Sequence, residues 1–124
     1  MARKVLIADD EPNIVTSLEF LLEKAGYEVK VARSGEEALE LVESFAPDAV
    51  LLDVMMPTMD GPSTFGRLQD EPRTRSVPVI LLTAKVQPAE RRQYEGLGVA
   101  GVLAKPFDPL TLPDQISGLL GWRD

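Results

Sequence analysis

The sequence predicts an α/β domain built on a doubly wound parallel sheet. Three observations carry this reading. Short apolar runs recur five times, at 5–8, 29–32, 49–52, 79–82 and 99–104. Those at 5–8, 49–52 and 79–82 are continuously apolar, as strands covered on both faces must be. Segments with helical spacing lie between the runs, so strand and helix alternate five times. Right-handed crossovers then place helices on both faces of a (βα)5 sheet.

Each element has its own justification. After the first run, Ile14, Leu18, Leu21 and Leu22 recur at helical spacing over 12–25, ahead of Gly26, a residue suited to a helix C-terminus. After the second, Ser34 and Glu37 form a capping box for a helix over 34–45, with Ala38, Leu39, Leu41 and Val42 as its apolar side. After the third, Pro62 suits the first turn of a helix over 62–71, where its missing N–H costs nothing. DEPRTRSVP, at 70–78, reads as a polar loop. A helix over 88–97 opens at Pro88 and ends near Gly98. The last begins near Thr111, with Pro113 in its first turn, and ends near Gly121. No repeat, low-complexity tract or linker divides the chain, so residues 1–124 read as one domain.

Composition narrows the chemistry. A chain of 124 residues with 44% hydrophobic and 27% charged residues fits one folded domain. Its net charge of −7 argues against nucleic acid or an anionic membrane as the main partner. Cysteine and histidine are both absent. That excludes disulfides, Fe–S and Cys/His zinc sites, cysteine nucleophiles, Ser-His-Asp triads and phosphohistidine chemistry on this chain. Carboxylates, hydroxyls, lysines and a hard cation bound through oxygen remain. No apolar run approaches the roughly 18 residues of a membrane span. The apolar stretch in MARKVLIADD is also shorter than the roughly 7 residues of a signal-peptide core. A cytoplasmic location is expected, and Met1 fits a natural N-terminus.

The polar residues fall at one kind of place. Asp9 and Asp10 follow the first run, Asp53 the third, Thr83 and Ala84 the fourth, and Lys105 the fifth. In an open parallel sheet these carboxyl ends share one edge, where ligands bind. Each residue also has a structural role open to it. Asp9 and Asp10 could cap the first helix, and Asp53 could make an Asx turn into MPTMDG. Thr83 could cap a helix, and Lys105 could be solvated or pair with an aspartate. Singly these roles suffice for Thr83 and Lys105. Together they leave unexplained why three carboxylates converge with a lysine and a hydroxyl.

Clustered carboxylates raise one another's pKa above about 3.9, and a divalent cation relieves the repulsion. Mg²⁺ suits such a site, since it keeps several waters and takes one or two carboxylates plus a phosphate oxygen. Asp53 can then act as a nucleophile, because carboxylates form aspartyl phosphates. Mg²⁺, Lys105, and the Thr83 hydroxyl with the Ala84 N–H would neutralise the three phosphoryl oxygens.

The motifs ADDE (8–11), LLDVMMPTMDG (51–61), LLTA (81–84) and AKPF (104–107), in this order across the whole chain, closely resemble the receiver domains of bacterial two-component response regulators. The resemblance implies a flavodoxin-like sheet of strand order 2-1-3-4-5. It implies Asp53 as phosphoacceptor, with Thr83 and Lys105 completing the reactive set. Asp9, Asp10, Asp53 and the Met55 backbone carbonyl would form the Mg²⁺ site. It also implies a cis Lys105–Pro106 bond. The donor would be the phosphohistidine of a sensor histidine kinase or phosphotransfer protein. Output would pass to a downstream protein partner, with a phosphorylation-dependent homodimer as one form of it.

Some positions depart from the family pattern. Where the family usually carries an aromatic residue, three positions before the lysine, this chain has Val102. Output is therefore expected to run through the Thr83 loop and the start of the 88–97 helix. Met55 and Lys85 are expected to flank the path of the hydrolysing water and slow phosphate loss. Arg91, Arg92 and Tyr94 read as a solvated face, with a partner surface as the alternative.

Other functions fit less of the sequence. A Mg²⁺-dependent aspartyl phosphatase usually carries its nucleophile in a D-x-D motif after the first strand, whereas Asp53 follows the third. A flavodoxin-like electron carrier needs a phosphate loop where this chain has DDEPN. A receiver that only docks partners would not need the full reactive set. The reading is thus a phosphoacceptor switch, not an enzyme, with no output domain in this chain. It is either a stand-alone regulator or a receiver cut from a larger regulator or hybrid kinase.

Overall fold

A computed structural model describes residues 2–84 and 87–122. Among the described residues, five parallel strands form one sheet in the order β2-β1-β3-β4-β5. The elements alternate throughout: β1 (Lys4–Ala8), α1 (Pro12–Lys24), β2 (Glu28–Ala32), α2 (Gly35–Phe45), β3 (Ala49–Asp53), α3 (Gly61–Asp70), β4 (Val79–Thr83), α4 (Pro88–Glu95), β5 (Gly101–Ala104) and α5 (Leu112–Leu120). The fold class is the one the sequence predicts, and the strand order is the one the family resemblance implies. The last strand starts two residues later than the apolar run, because Val99 and Ala100 belong to the connection.

Alternation of side chains divides the core by face. Leu6, Val50, Leu52, Val79 and Leu81 meet Val42 and Phe45 of α2 and Phe65 and Leu68 of α3. Val5, Ile7, Leu51, Ile80 and Leu82 meet Leu18 and Leu22 of α1 and Leu112 and Ile116 of α5. Strands β3 and β4 are buried along their whole length, which explains their unbroken apolar sequence. Edge strand β2 alternates, and its exposed positions carry Glu28 and Lys30.

Local chemistry sets the helix ends. Ser34 Oγ accepts the Glu37 N–H at 3.1 Å, as the capping box predicts. The return arm lands one residue early, with Glu37 Oε1 accepting from the Arg33 N–H at 2.9 Å. Asp60 caps α3 by accepting the Ser63 N–H at 2.8 Å. The 70–78 loop is tied down: buried Thr74 donates to the Leu68 carbonyl, and Gln69 and Arg75 bond each other's backbone. At the amino ends of the strands, Tyr27 meets Trp122 edge-on at 5.5 Å and shares a hydrogen bond with Ser117. The Arg3 guanidinium lies over the Trp122 ring at 4.5 Å.

Helix α4 differs from the other four, having no fully buried residue. Arg91 donates to the Val102 carbonyl of β5 at 3.0 Å and pairs with Glu95, while Tyr94 packs partly against the core. Arg91 and Tyr94 thus attach α4 to the sheet, while Arg91 and Arg92 stay exposed, as the solvated-face reading expects.

Candidate functional site

The predicted site residues emerge at the carboxyl edge of the sheet, on three neighbouring strands and on β5 beyond them. β1 ends at Ala8, so Asp9 leaves the sheet still buried. Its Oδ1 accepts the Glu11 N–H at 2.9 Å and bends the chain toward Pro12. The N-cap of α1 is Glu11, without a side-chain capping bond, so neither aspartate caps the helix directly. Asp10 is exposed.

Asp53 is the last residue of β3 and is buried. Its Oδ1 faces the Met55 N–H at 3.4 Å, the start of an Asx turn, and the Lys105 ammonium at 3.1 Å. Lys105 also pairs with Asp9 Oδ2 at 2.9 Å. The solvated role weighed for Lys105 is not what it adopts: its side chain is largely covered and bridges two aspartates. Thr83 is buried at the end of β4, one residue beyond Leu82, the register partner of Asp53. Its carbonyl accepts the Lys105 N–H at 2.8 Å, which fixes the start of the lysine segment. The Lys105–Pro106 bond is cis. The N-cap of α4 is Gln87, so Thr83 does not cap that helix. The Met55 side chain is exposed, and Lys85 lies outside the described residues.

Carboxylate oxygens of Asp9, Asp10 and Asp53 come within 4.8 Å of one another. Lys105 brings one positive charge against these three negative ones. Burial, followed by the charge of Asp9, pushes the Asp53 pKa up to about 6, against the opposing pull of Lys105 and the Met55 N–H. Burial disfavours the Lys105 charge as well, but the contacts with Asp9 and Asp53 outweigh it and its pKa is raised. Asp9 Oδ2 is buried and has the ion pair but no hydrogen bond of good geometry among the described residues. Excess negative charge, an under-satisfied buried oxygen and an all-oxygen donor set fit a hard divalent cation held by Asp9, Asp10 and Asp53.

Two features of the pocket were not legible in the sequence. Thr58, in the β3–α3 loop, takes a positive φ of 64° and donates to Glu36 at the start of α2. Gly61 donates its N–H to the Val54 carbonyl at 2.9 Å and lies against the backbone of Asp53. The turn residues of MPTMDG signalled a bend, but nothing in the sequence links Thr58 to Glu36.

Fold and pocket together define a class: a doubly wound α/β domain with an acidic, cation-ready pocket at the carboxyl ends of its strands. The chain belongs to the response regulator receiver domain family, whose profile matches residues 5–117. It is similar to the alkaline phosphatase synthesis transcriptional regulatory protein PhoP of Bacillus subtilis, 37% identical over 97% of this chain and 49% of that protein. Among solved structures it is similar to the chemotaxis response regulator CheY4 of Vibrio cholerae, with a TM-score of 0.89 and 31% identity over 96% and 99% of the two chains. It is also similar to the receiver domain of a Pseudomonas aeruginosa sensor histidine kinase with a magnesium ion in its active site cleft. That match has a TM-score of 0.86 and 30% identity over 98% and 99% of the chains. The chain spans about half the length of the curated relatives it matches. It is a receiver domain of phosphorelay signalling. No helix among the described residues is long and apolar enough to cross a membrane.

Proposed function

We propose that Asp53 is the phosphoacceptor of this domain and that residues 1–124 act as one receiver unit. The observation that carries this is the buried Asp53 carboxylate at the end of β3, set between Lys105 and the two aspartates that follow β1. An Asp53 oxygen attacks the phosphorus of a phosphohistidine on a sensor histidine kinase or phosphotransfer protein. The P–N bond breaks, and its electron pair returns to the imidazole. Lys105, already on Asp53, follows the new group and neutralises one of its oxygens, while the Thr83 hydroxyl with the Ala84 N–H takes another. Asp9, Asp10, Asp53 and the Met55 carbonyl would hold Mg²⁺, which would supply the remaining charge neutralisation. Met55, two residues after Asp53 and exposed, would hinder the hydrolysing water and slow phosphate loss.

This reading makes the domain a switch acting by population shift, in place of an enzyme that turns over. Incubation with a small-molecule phosphodonor and Mg²⁺, read by intact mass, tests it. Wild type should gain one phosphoryl group and Asp53→Asn none. Labelling of the variant at the wild-type level would refute the assignment, and continuous release of phosphate from an ester would favour a phosphatase.

Output is expected to reach α4, the element with least burial of its own. Hydrogen exchange across 88–95 should change when a phosphoryl mimic and Mg²⁺ are added. Unchanged exchange there would remove α4 from the response.

A further inference from the structure

A β-branched residue at positive φ is an unusual expense in a loop, since its side chain crowds the backbone there. Thr58 is such a residue, with φ 64°. Its hydroxyl lies 3.0 Å from each carboxylate oxygen of Glu36 and 2.7 Å from the Pro57 carbonyl. Glu36 stands in the first turn of α2. The same two segments are pressed together next door, where a Cβ on Gly35 would collide with Thr64 Oγ1 and come within 3.0 Å of Met59. Thr58 lies between Met55 and the Gly61 anchor, at the centre of a tight turn that the Met59 N–H closes on the Pro57 carbonyl at 2.7 Å.

We propose that Glu36 is a positioning residue for the phosphorylation site: by holding Thr58 at positive φ, it fixes the β3–α3 loop that carries Met55 and so sets the cation affinity of the acidic pocket. This rests on the proposed function for the part the Met55 carbonyl plays and for its link to labelling, but the loop geometry stands apart from both. Glu36 and Thr58 are both exposed, so substitution there leaves the cores intact. The clasp is one shared hydrogen bond: the single hydroxyl proton lies between the Glu36 carboxylate at 3.0 Å and the Pro57 carbonyl at 2.7 Å. Because both groups are exposed and the proton is shared, its loss should weaken Mg²⁺ binding roughly three- to ten-fold, the size of an ordinary rather than a charge-assisted hydrogen bond.

Three variants separate positioning from charge. Glu36→Ala removes the acceptor. Glu36→Gln keeps an acceptor but removes the charge. Glu36→Ala with Thr58→Gly removes the need for a clasp, since glycine takes positive φ freely. Mg²⁺ affinity by calorimetry and hydrogen exchange of 54–60 in metal-free protein are the readouts, with phosphodonor labelling alongside. The expected pattern is weaker Mg²⁺ binding and faster loop exchange in Glu36→Ala. Glu36→Gln should stay near wild type, and the double variant should recover affinity. Wild-type affinity and exchange in Glu36→Ala would overturn the proposal, as would Glu36→Gln behaving like Glu36→Ala. If wild type takes no phosphoryl group while Glu36→Ala still loses affinity, the phosphoacceptor reading fails and the clasp stands.

Discussion

Asp53→Asn is expected to make the metal-free domain more stable at neutral pH, although it removes the group proposed to react. The carboxyl ionises at 3.8 in an unstructured chain and at about 6 in the fold, because burial and then Asp9 oppose its charge. A raised carboxyl pKa contributes stability below the unfolded value and loses it as pH rises through the folded one. Ionised Asp53 is therefore a burden on the apo fold above about pH 6. At 1.36 kcal/mol per pKa unit the burden is at most about 3 kcal/mol, and asparagine would relieve roughly 1–3 kcal/mol of it. Urea unfolding with a chelator present should show this gain at neutral pH and none near pH 4. Mg²⁺ should reverse the ranking, since it stabilises only a protein that binds it. A variant less stable than wild type at neutral pH without metal would show that Lys105 already compensates Asp53 in full.

Gly61→Ala should do the opposite and damage fold and site together. A Cβ at Gly61 would collide with the Asp53 carbonyl and sit 2.9 Å from Val54 Cα and 3.0 Å from the Asp53 carbonyl carbon. These are backbone atoms of a buried strand end and cannot turn aside as a side chain would. The Gly61 N–H bond to Val54 would also have to lengthen. The expected cost is roughly 2–4 kcal/mol, with phosphodonor labelling reduced because Asp53 itself is displaced. Gly66→Ala is the matched control. It sits in the same helix with nothing within 4 Å of the added methyl, and should gain about 0.5–1 kcal/mol from helix propensity. Equal unfolding midpoints for the two variants would mean that the loop yields to Gly61→Ala at little cost.

The sheet was legible because burial on both faces leaves a plain mark. Unbroken apolar runs at 49–52 and 79–82 need no partner information to be recognised. The pocket was legible for a related reason: Asp9, Asp53, Thr83 and Lys105 stand at strand ends, and a parallel sheet brings those ends together whatever the helices do. What escaped is chemistry between residues that neither period nor position relates. The sequence offers no hint that Glu36 would reach Thr58, or that Arg91 would hold the Val102 carbonyl. A charged residue on a helix reads as solvated until a partner from another element is seen. The capping box shows a milder form, with Ser34 as expected and the Glu37 arm bonded one residue early because its side chain meets the Arg33 N–H first.

The Tyr27–Trp122–Arg3 cluster has an optical consequence. Trp122 is the single tryptophan of the chain, and it closes the end of the sheet where the strands begin. Five-residue strands put that end roughly 15 Å from the acidic pocket. Its emission therefore follows the seating of the chain's last turn against Tyr27 and Arg3, and the loss of that seating on unfolding. The domain carries a built-in fluorophore for its global melting that stands well away from the acidic pocket.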